Sequence, residues 1–416
     1  MWTARIVTSA QPPAKATVSR RRLLLGGAAL GGGAALAGAA AGAAVATSAA
    51  TADQPPAGPD DAVGQATVDP HGAHQAGIAT PLQSFAAIVA LNLTSTTDRA
   101  ALARLMRLWT DDIERLTAGR PALADPVPEL ASVPASLTIT VGFGPRVFDL
   151  DGLAASKPAW LVDLPVFAGD ELLPEWTGGD VIVQVCANDP VTVAHAQRVL
   201  LNDATAFATL AWVQQGFHRA VGTTPAGTVG RNLMGQVDGI INPVPGSADF
   251  DEVVWSDAPA WLSGGSGMVI RRARMELDTW TALDRSAREE TIGRTLSDGA
   301  PLTGGGPNDA VDLEAVDDRG LLVIPPTAHV RLAAPATPLE RIYRRPYNYD
   351  AAVPGQAGLI FIAFAADPAA QFLPIQQRLA EADLLNTWIT YQGSAIVAVL
   401  PGFESGGWLG QSLLEP

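Results

Sequence analysis

The stretch FAAIVALNLTSTTDRAALARLMRLWTDDIERL, residues 85–116, decides the fold class. Its first nine residues, Phe85 to Leu93, form an apolar run of strand length. From Thr97 to Leu116, the residues Leu102, Leu105, Met106, Trp109, Ile113 and Leu116 recur at i, i+3, i+4 and i+7. That spacing gathers them on one face of a helix. The unit is a strand followed by an amphipathic helix.

The same alternation continues outward. A strand over Leu137 to Val141 runs into the turn Gly142-Phe143-Gly144-Pro145, and a strand over Asp180 to Ala187 precedes a helix from Val191 to about Leu201. Near the far end, Gly358 to Ala365 reads as a strand, Asp367 to Leu385 as an amphipathic helix and Ala395 to Leu400 as another strand. Between them, Gly264 to Leu277 gives a strand with a helix through Ile292, and Leu321 to Ile324 a strand stopped by Pro325 and Pro326. No glycine-rich phosphate turn follows the first strand. The pattern is that of an α+β protein whose antiparallel sheets are covered by helices. One unit in each half suggests two ferredoxin-like domains in tandem, residues 71–222 and 223–416, divided near the linker-like Gly222 to Gly230.

The N-terminus reads differently. Ser19-Arg20-Arg21-Arg22-Leu23-Leu24-Leu25 opens a long Gly/Ala/Leu run, with small residues at two candidate cleavage points, Ala44-Val45-Ala46 and Ala50-Thr51-Ala52. A basic start, an apolar middle and small residues make a signal peptide, and the Ser-Arg-Arg order resembles a twin-arginine signal. The expectation is export to the periplasm, cell envelope or exterior, with residues 1–52 removed and no stable membrane insertion afterwards. Residues 53–70, rich in Pro, Gly and Asp, read as a flexible leader. The whole chain carries −15, and the signal holds five cations and no acid, so the part after it carries −15 − 5 = −20. Such a surface repels nucleic acid and anionic lipid. A single cysteine, Cys186, excludes internal disulfides.

The chemistry-bearing residues are few. In Asn232-Leu-Met-Gly-Gln-Val-Asp238-Gly-Ile-Ile-Asn242-Pro243, Gly235 and Gly239 bracket Asp238 on a tight turn, a pattern that ordinary turns also show. The histidines are His71, His74, His195, His218 and His329, with no zinc spacing among them. His329 follows the proline-stopped run and fits a ligand at a cavity edge as well as a loop residue. Arg341, Arg344 and Arg345 stand among tyrosines in RIYRRPYNY. Ten tryptophans are present; Trp255, Trp261, Trp280, Trp388 and Tyr391 are candidate surface redox sites, although packing explains most of them.

Taken in order, NLMGxxDGxxNP, His-Val-Arg-Leu-Ala at 329–333 and RIxRRxYxY at 341–349 resemble the dye-decolorizing peroxidase family. His74-Gln75-Ala76-Gly77-Ile78, Phe143-Gly144-Pro145, Gly264-Gly265-Ser266 and Ile292-Gly293-Arg294 match as well, and with the leader they point to its exported deferrochelatase branch. The resemblance implies haem b bound in the C-terminal half, with His329 on the iron. It implies that Asp238 moves the peroxide proton and that Arg344 stabilises the charge that develops as the O–O bond breaks. It also places Phe361 and Asn242 at the haem, and leaves Asp317 or Asp318 to hold His329. A carboxylate has a reference pKa of about 4, against about 6.5 for histidine, so the implied optimum is acidic. Implied partners are hydrogen peroxide and an organic donor such as a dye or phenol, while a homo-oligomer and an iron-uptake partner stay open. Two other activities stay open: release of iron from haem with the porphyrin intact, and haem carriage without turnover. Pro346 and Ile240 depart from the family pattern, Pro346 directly behind Arg344.

Overall fold

The computed structural model describes residues 63–225, 227–353 and 355–415. The signal peptide and most of the leader lie outside the described residues. In the N-terminal half the elements run β1 (Phe85–Leu93), α1 (Arg99–Thr117), β2 (Thr138–Phe143), β3 (Val181–Ala187), α2 (Pro190–Ala204) and β4 (Ala208–Phe217). Helix α1 starts where the Asp98 carboxylate accepts from the Ala101 amide at 2.7 Å, and α2 where Asp189 accepts from Thr192 behind Pro190. Next come α3 (Ala248–Val254), β5 (Ser266–Met275), α4 (Leu277–Ala282), α5 (Arg285–Ile292), α6 (His329–Leu332), β6 (Tyr343–Arg344), β7 (Tyr347–Asp350) and β8 (Ala357–Ala365). The chain finishes with α7 (Pro368–Gln371), α8 (Leu373–Ala382), β9 (Ile389–Val399) and α9 (Gln411–Leu414).

In each half the first and third strands lie in the middle and the second and fourth at the edges. The orders are β2-β3-β1-β4 and β9-β5-β8-β7, with β6 also on β8, and every pairing is antiparallel. This is the tandem ferredoxin-like α+β fold. The two sheets also join at both edges, through Gly142↔Val399 and Phe143↔Ala398 on one side and Phe217↔Asn348 on the other. The strands thus close into one ring. Its inside is a core shared by both halves, with Ile88, Ile182 and Trp212 against Tyr347, Ile360 and Val397. The outer face of the N-terminal sheet packs Val89 and Val183 against Leu102, Leu105, Trp109 and Val199 of α1 and α2.

The structure departs from the sequence reading in five places. Strand β4 has no counterpart in the sequence reading: its burial alternates poorly and it carries Gln214, Gln215 and Gly216. The helix expected over 367–385 is two helices and a 3₁₀ turn, with the break just before Pro374, and the helix leading to Ile292 is likewise broken between α4 and α5. Leu321 to Ile324 make only a single antiparallel bridge, Leu322 to Val316, flanked by the bonds from Val323 N–H to Ala315 O and from Asp317 N–H to Leu321 O. Pairing stops at Ile324, whose carbonyl accepts from the Arg331 guanidinium. Finally, the end of the leader is docked rather than loose: Ala135 and Ser136 donate to the carbonyls of Gly64 and Ala66, and His71 bridges Asp69 and Glu114. Among the described residues, no helix is long and apolar enough to cross a membrane.

Candidate active site

Asp238 ends a short hairpin. Arg231 bridges to Val237, the Asp238 amide donates to Gly230 O at 3.0 Å, and the Asn232 side chain accepts from the amides of Met234 and Gln236. The Arg231 guanidinium donates to Gly235 O at 2.8 Å and to Leu296 O at 2.7 Å, which fixes the hairpin on the segment after α5. Gly235 and Gly239 have φ of +84° and +100°, so both bracketing positions use backbone that other residues rarely adopt.

Arg344 reaches this hairpin from β6. Its Nη1 donates to Asp238 Oδ1 at 3.3 Å, with the two side chains 24% and 18% exposed, so the pair is partly shielded yet open to a small molecule. Asn242 sets the arginine's backbone: its amide donates to Arg344 O at 2.6 Å and accepts from Arg344 N at 3.1 Å. Both ends of that side chain are therefore committed to the backbone of Arg344, which gives Asn242 a positioning role. Arg345, its neighbour in sequence, is only 1% exposed and donates to Thr80 O, Pro81 O and the Gln83 side chain. It is a core residue. A third arginine, Arg294, donates to Gly299 O and Pro307 O, and burial first, then the Arg344 charge, lowers its pKa.

His329 opens α6, and two features hold it. Gly293 caps α5 at φ +89°, and a Cβ there would meet Val330 Cγ1 at 2.3 Å, so only glycine lets α6 sit this close. On the other side, His329 Nδ1 lies 2.6 Å from Asp383 Oδ2, a carboxylate 1% exposed, and the Leu384 amide donates to Thr327 O. Asp383 Oδ1 meanwhile accepts from the Leu385 amide. One carboxylate thus caps a turn and orients an imidazole. Asp317 does not do this: it is tied to the amides of Arg319 and Leu321 and to the Arg319 guanidinium, all within its own loop. The expectation for Asp317 or Asp318 gives way to Asp383.

Met234 of the hairpin, Ile292 of α5 and Leu385 beyond Asp383 share one apolar cluster, and Phe361 of β8 packs against it. Phe361 also faces Phe372, with ring centres 6.1 Å apart. His218 had no assigned part in the sequence reading. It is held just behind the hairpin, where burial first lowers its pKa, opposed by its bond to Pro346 O and by the Asp238 charge. Of the aromatic candidates, Trp280 is fully buried and donates to Met234 O. Trp255 stacks on His74, Trp261 donates to Ser156 O, Trp388 packs edge-on to Trp280 and Tyr391 lies under Arg271. A cleft of about 430 Å³ on the N-terminal half, with the His195–Asp125 pair in its wall, contains none of the site residues.

Chemically the site offers an ionisable carboxylate beside a guanidinium, and separately an imidazole whose Nδ1 is engaged by a carboxylate. Such a second partner fixes the tautomer and frees Nε2 as a donor to a metal. Among the described residues, no cluster of three or more His, Cys, Asp or Glu side chains could hold a bare ion. The donor set fits an iron already chelated by a porphyrin.

Comparison with known proteins agrees with this chemistry. Residues 75–218 match the family described as Dyp-type peroxidase, N-terminal, and residues 229–404 the one described as Dyp-type peroxidase, C-terminal. A DyP-type peroxidase from Cellulomonas bogoriensis is similar in structure at 52% identity and a TM-score of 0.82, over 85% of this chain and 99% of that one. An oxyferrous complex of DtpA from Streptomyces lividans is similar at 41% identity and a TM-score of 0.82, over 85% and 99%. A protein named deferrochelatase from Yersinia pestis is 33% identical over 83% of this chain and 84% of its own length. With both family regions matched in order along an unbroken tandem fold, the chain belongs to the Dyp-type peroxidase family.

Proposed function

We propose that this protein is a haem b peroxidase that reduces hydrogen peroxide and oxidises an organic donor, with His329 on the haem iron and Asp238 and Arg344 on the peroxide side. The observation that carries the reading is the Asp238–Arg344 pair at 3.3 Å in the same domain as an imidazole backed by Asp383. Haem, when bound, would supply the redox chemistry that carries electrons from the organic donor to peroxide. His329 would hold the iron through Nε2, and Asp383, accepting from Nδ1–H, would raise the imidazole's donor strength.

Asp238 would take the proton from the peroxide oxygen that binds first and deliver it to the departing oxygen, which then leaves as water. Both oxygens of one carboxylate can do this without a second base. Arg344 would orient the peroxide by its fixed cation and offset the negative charge that grows on the departing oxygen. Asn242 would keep the guanidinium in place through the backbone of Arg344. The twin-arginine order at Ser19 to Leu25 supports export, tested by replacing Arg20, Arg21 and Arg22 with lysine and locating the chain by cell fractionation.

The test is steady-state peroxide turnover by the haem-loaded chain and its Asp238→Asn and Arg344→Leu variants. Each variant is expected to lose about 100-fold or more in kcat/KM for peroxide while keeping its haem. Wild-type turnover no higher than that of the double variant would leave a haem carrier. Free porphyrin appearing without peroxide would instead establish iron release.

A further inference from the structure

His218 lies where three segments meet. It follows the last residue of β4, whose Phe217 pairs with Asn348 of β7 to close the ring of strands, and its own amide donates to Ser84 O at 2.7 Å. Its ring Nε2–H donates to the carbonyl of Pro346, two residues past Arg344. The opposite edge of the ring covers the Asp238 hairpin: a Cβ on Gly230 would lie 3.4 Å from His218 Nδ1 and 3.6 Å from Cε1. Gly230 is the residue whose carbonyl accepts from the Asp238 amide. The ring face is held edge-on to Tyr347, with centres 5.0 Å apart.

One imidazole therefore bonds the backbone that carries Arg344 and lies against the backbone that carries Asp238, with no hydrogen bond to either side chain among the described residues. Asn348 adds a parallel tie, accepting from the Leu233 amide at 3.1 Å and donating to Arg231 O at 3.3 Å. Asn348 anchors the start of the hairpin to β7. Towards its other end, Asn242 bonds the backbone of Arg344, and His218 bonds Pro346 O two residues further on. Pro346 has no N–H, so its carbonyl is the one backbone group that Pro346 itself can offer to a hydrogen bond.

We propose that His218 is a positioning residue for the distal pair, a brace that sets the Arg344–Asp238 separation by donating to Pro346 O and packing against Gly230. The inference rests on the peroxidase reading of that pair. The ring serves both backbones at once: Nε2–H donates to Pro346 O, while Nδ1 and Cε1 present a flat edge at van der Waals distance from the position a Cβ on Gly230 would take. Displacements of about 1 Å in a reacting pair cost on the order of 100-fold in rate, so a brace remote from peroxide can still control turnover.

Two variants separate the bond from the bulk. His218→Phe keeps a flat ring and removes the donor, and His218→Gln keeps an amide donor that can reach Pro346 O. Steady-state kinetics of the haem-loaded chain would be combined with amide hydrogen exchange of the haem-free chain over residues 229–242 and 343–348. We expect His218→Phe to lose about 10- to 100-fold in kcat/KM for peroxide with little change in haem content. We also expect faster exchange at the Asp238 amide, and recovery of both in His218→Gln to within a few-fold of wild type. Wild-type exchange at Asp238 in His218→Phe would overturn the brace whether or not the enzyme turns over. Equal losses in both variants, accompanied by a matching drop in Tm, would also overturn it by assigning His218 to the fold alone. A wild-type chain with no peroxide turnover would instead remove the reading of the pair and leave the exchange result standing.

Discussion

Two adjacent arginines divide the work at the residue scale. Arg344 and Arg345 cannot be told apart by composition, but a strand puts neighbouring side chains on opposite sides. Arg344 meets Asp238 while Arg345 is swallowed by the shared core, donating to Thr80 O, Pro81 O and Gln83. Replacing Arg345 with leucine strands those buried acceptors and should cost on the order of 3 kcal/mol of stability. Arg344→Leu should leave Tm within a few degrees and remove activity. Chemical denaturation of the two variants checks the contrast. Asp383 carries a second prediction: Asp383→Asn keeps a partner for His329 Nδ1 but not its charge. Activity should fall about 10- to 100-fold, and the iron reduction potential should move upward, measured by redox titration. Asp238 stood out in the sequence through its place in NLMGxxDGxxNP, one of the ordered motifs that carry the family resemblance, since glycines beside an aspartate also mark ordinary turns. Asp383 did not, because it lies 54 positions from His329 and reads as the cap of its own turn.

At the scale of elements, the strands and helices with clean periods were legible almost to the residue: β1 begins and ends where its apolar run does, and α1 follows the i, i+3, i+4 stripe. What the period does not encode is the partner. β4 is an edge strand whose polar residues lie on both faces, with Gln214 accepting from the buried Arg272 guanidinium. β6 and β7 are too short to show alternation, yet β6 carries Arg344 and β7 closes the ring. The contact between α1 and α2 gives a pH prediction. Asp112 of α1 is 2% exposed, and its Oδ2, like the Oδ2 of Asp203 on α2, finds no hydrogen-bond donor among the described residues. Burial first, then Asp203, pushes the Asp112 pKa up to about 8, with Asp111 acting the same way and Arg115 against them. A single proton shared between the two carboxyls satisfies both oxygens. The folded chain holds that proton long after an unfolded one, with a pKa of about 4, has lost it. Stability from this pair is therefore complete below about pH 4 and is lost progressively as pH rises towards about 8. Asp112→Asn removes the titration, so its Tm should fall less steeply across that window and exceed the wild type's above it, read by thermal scans at several pH values.

For the whole molecule, the question is whether two ferredoxin-like halves behave as two domains or one. The unpaired amides and carbonyls of an edge strand favour pairing with another edge, and bulky or charged side chains are what ordinarily keep the edges of separate domains apart. Here each seam has a glycine where the approach is tightest. A Cβ on Gly142 of β2 would lie 2.5 Å from Val397 Cγ2, and one on Gly216 of β4 would lie 2.6 Å from Tyr347 Cβ and 2.8 Å from Ile360 Cδ1. Neither glycine has a positive φ, so what these positions require is space and not an unusual backbone. The seams hold few backbone pairs, but they seal a core to which both halves contribute Ile88, Ile182, Tyr347 and Val397. Opening either seam exposes that core in both halves at once. The haem-free chain should therefore unfold in a single calorimetric transition whose van't Hoff and calorimetric enthalpies agree, even though chains of this length often show more than one. Gly216→Val should break the rule by forcing β4 from β7. Overpacking of this kind costs about 1–3 kcal/mol, and because it falls on the seam the loss should appear as two separated transitions and not as one transition moved down. A wild-type chain that already melts in two steps, or a Gly216→Val chain that melts in one, would show that each half is held by its own helices and that the closed ring adds no cooperativity. A split confined to the variant would place the coupling at the edge that also carries His218 and, two residues before Pro346, Arg344. In that case the joining of the halves and the geometry of the distal pair rest on the same few contacts.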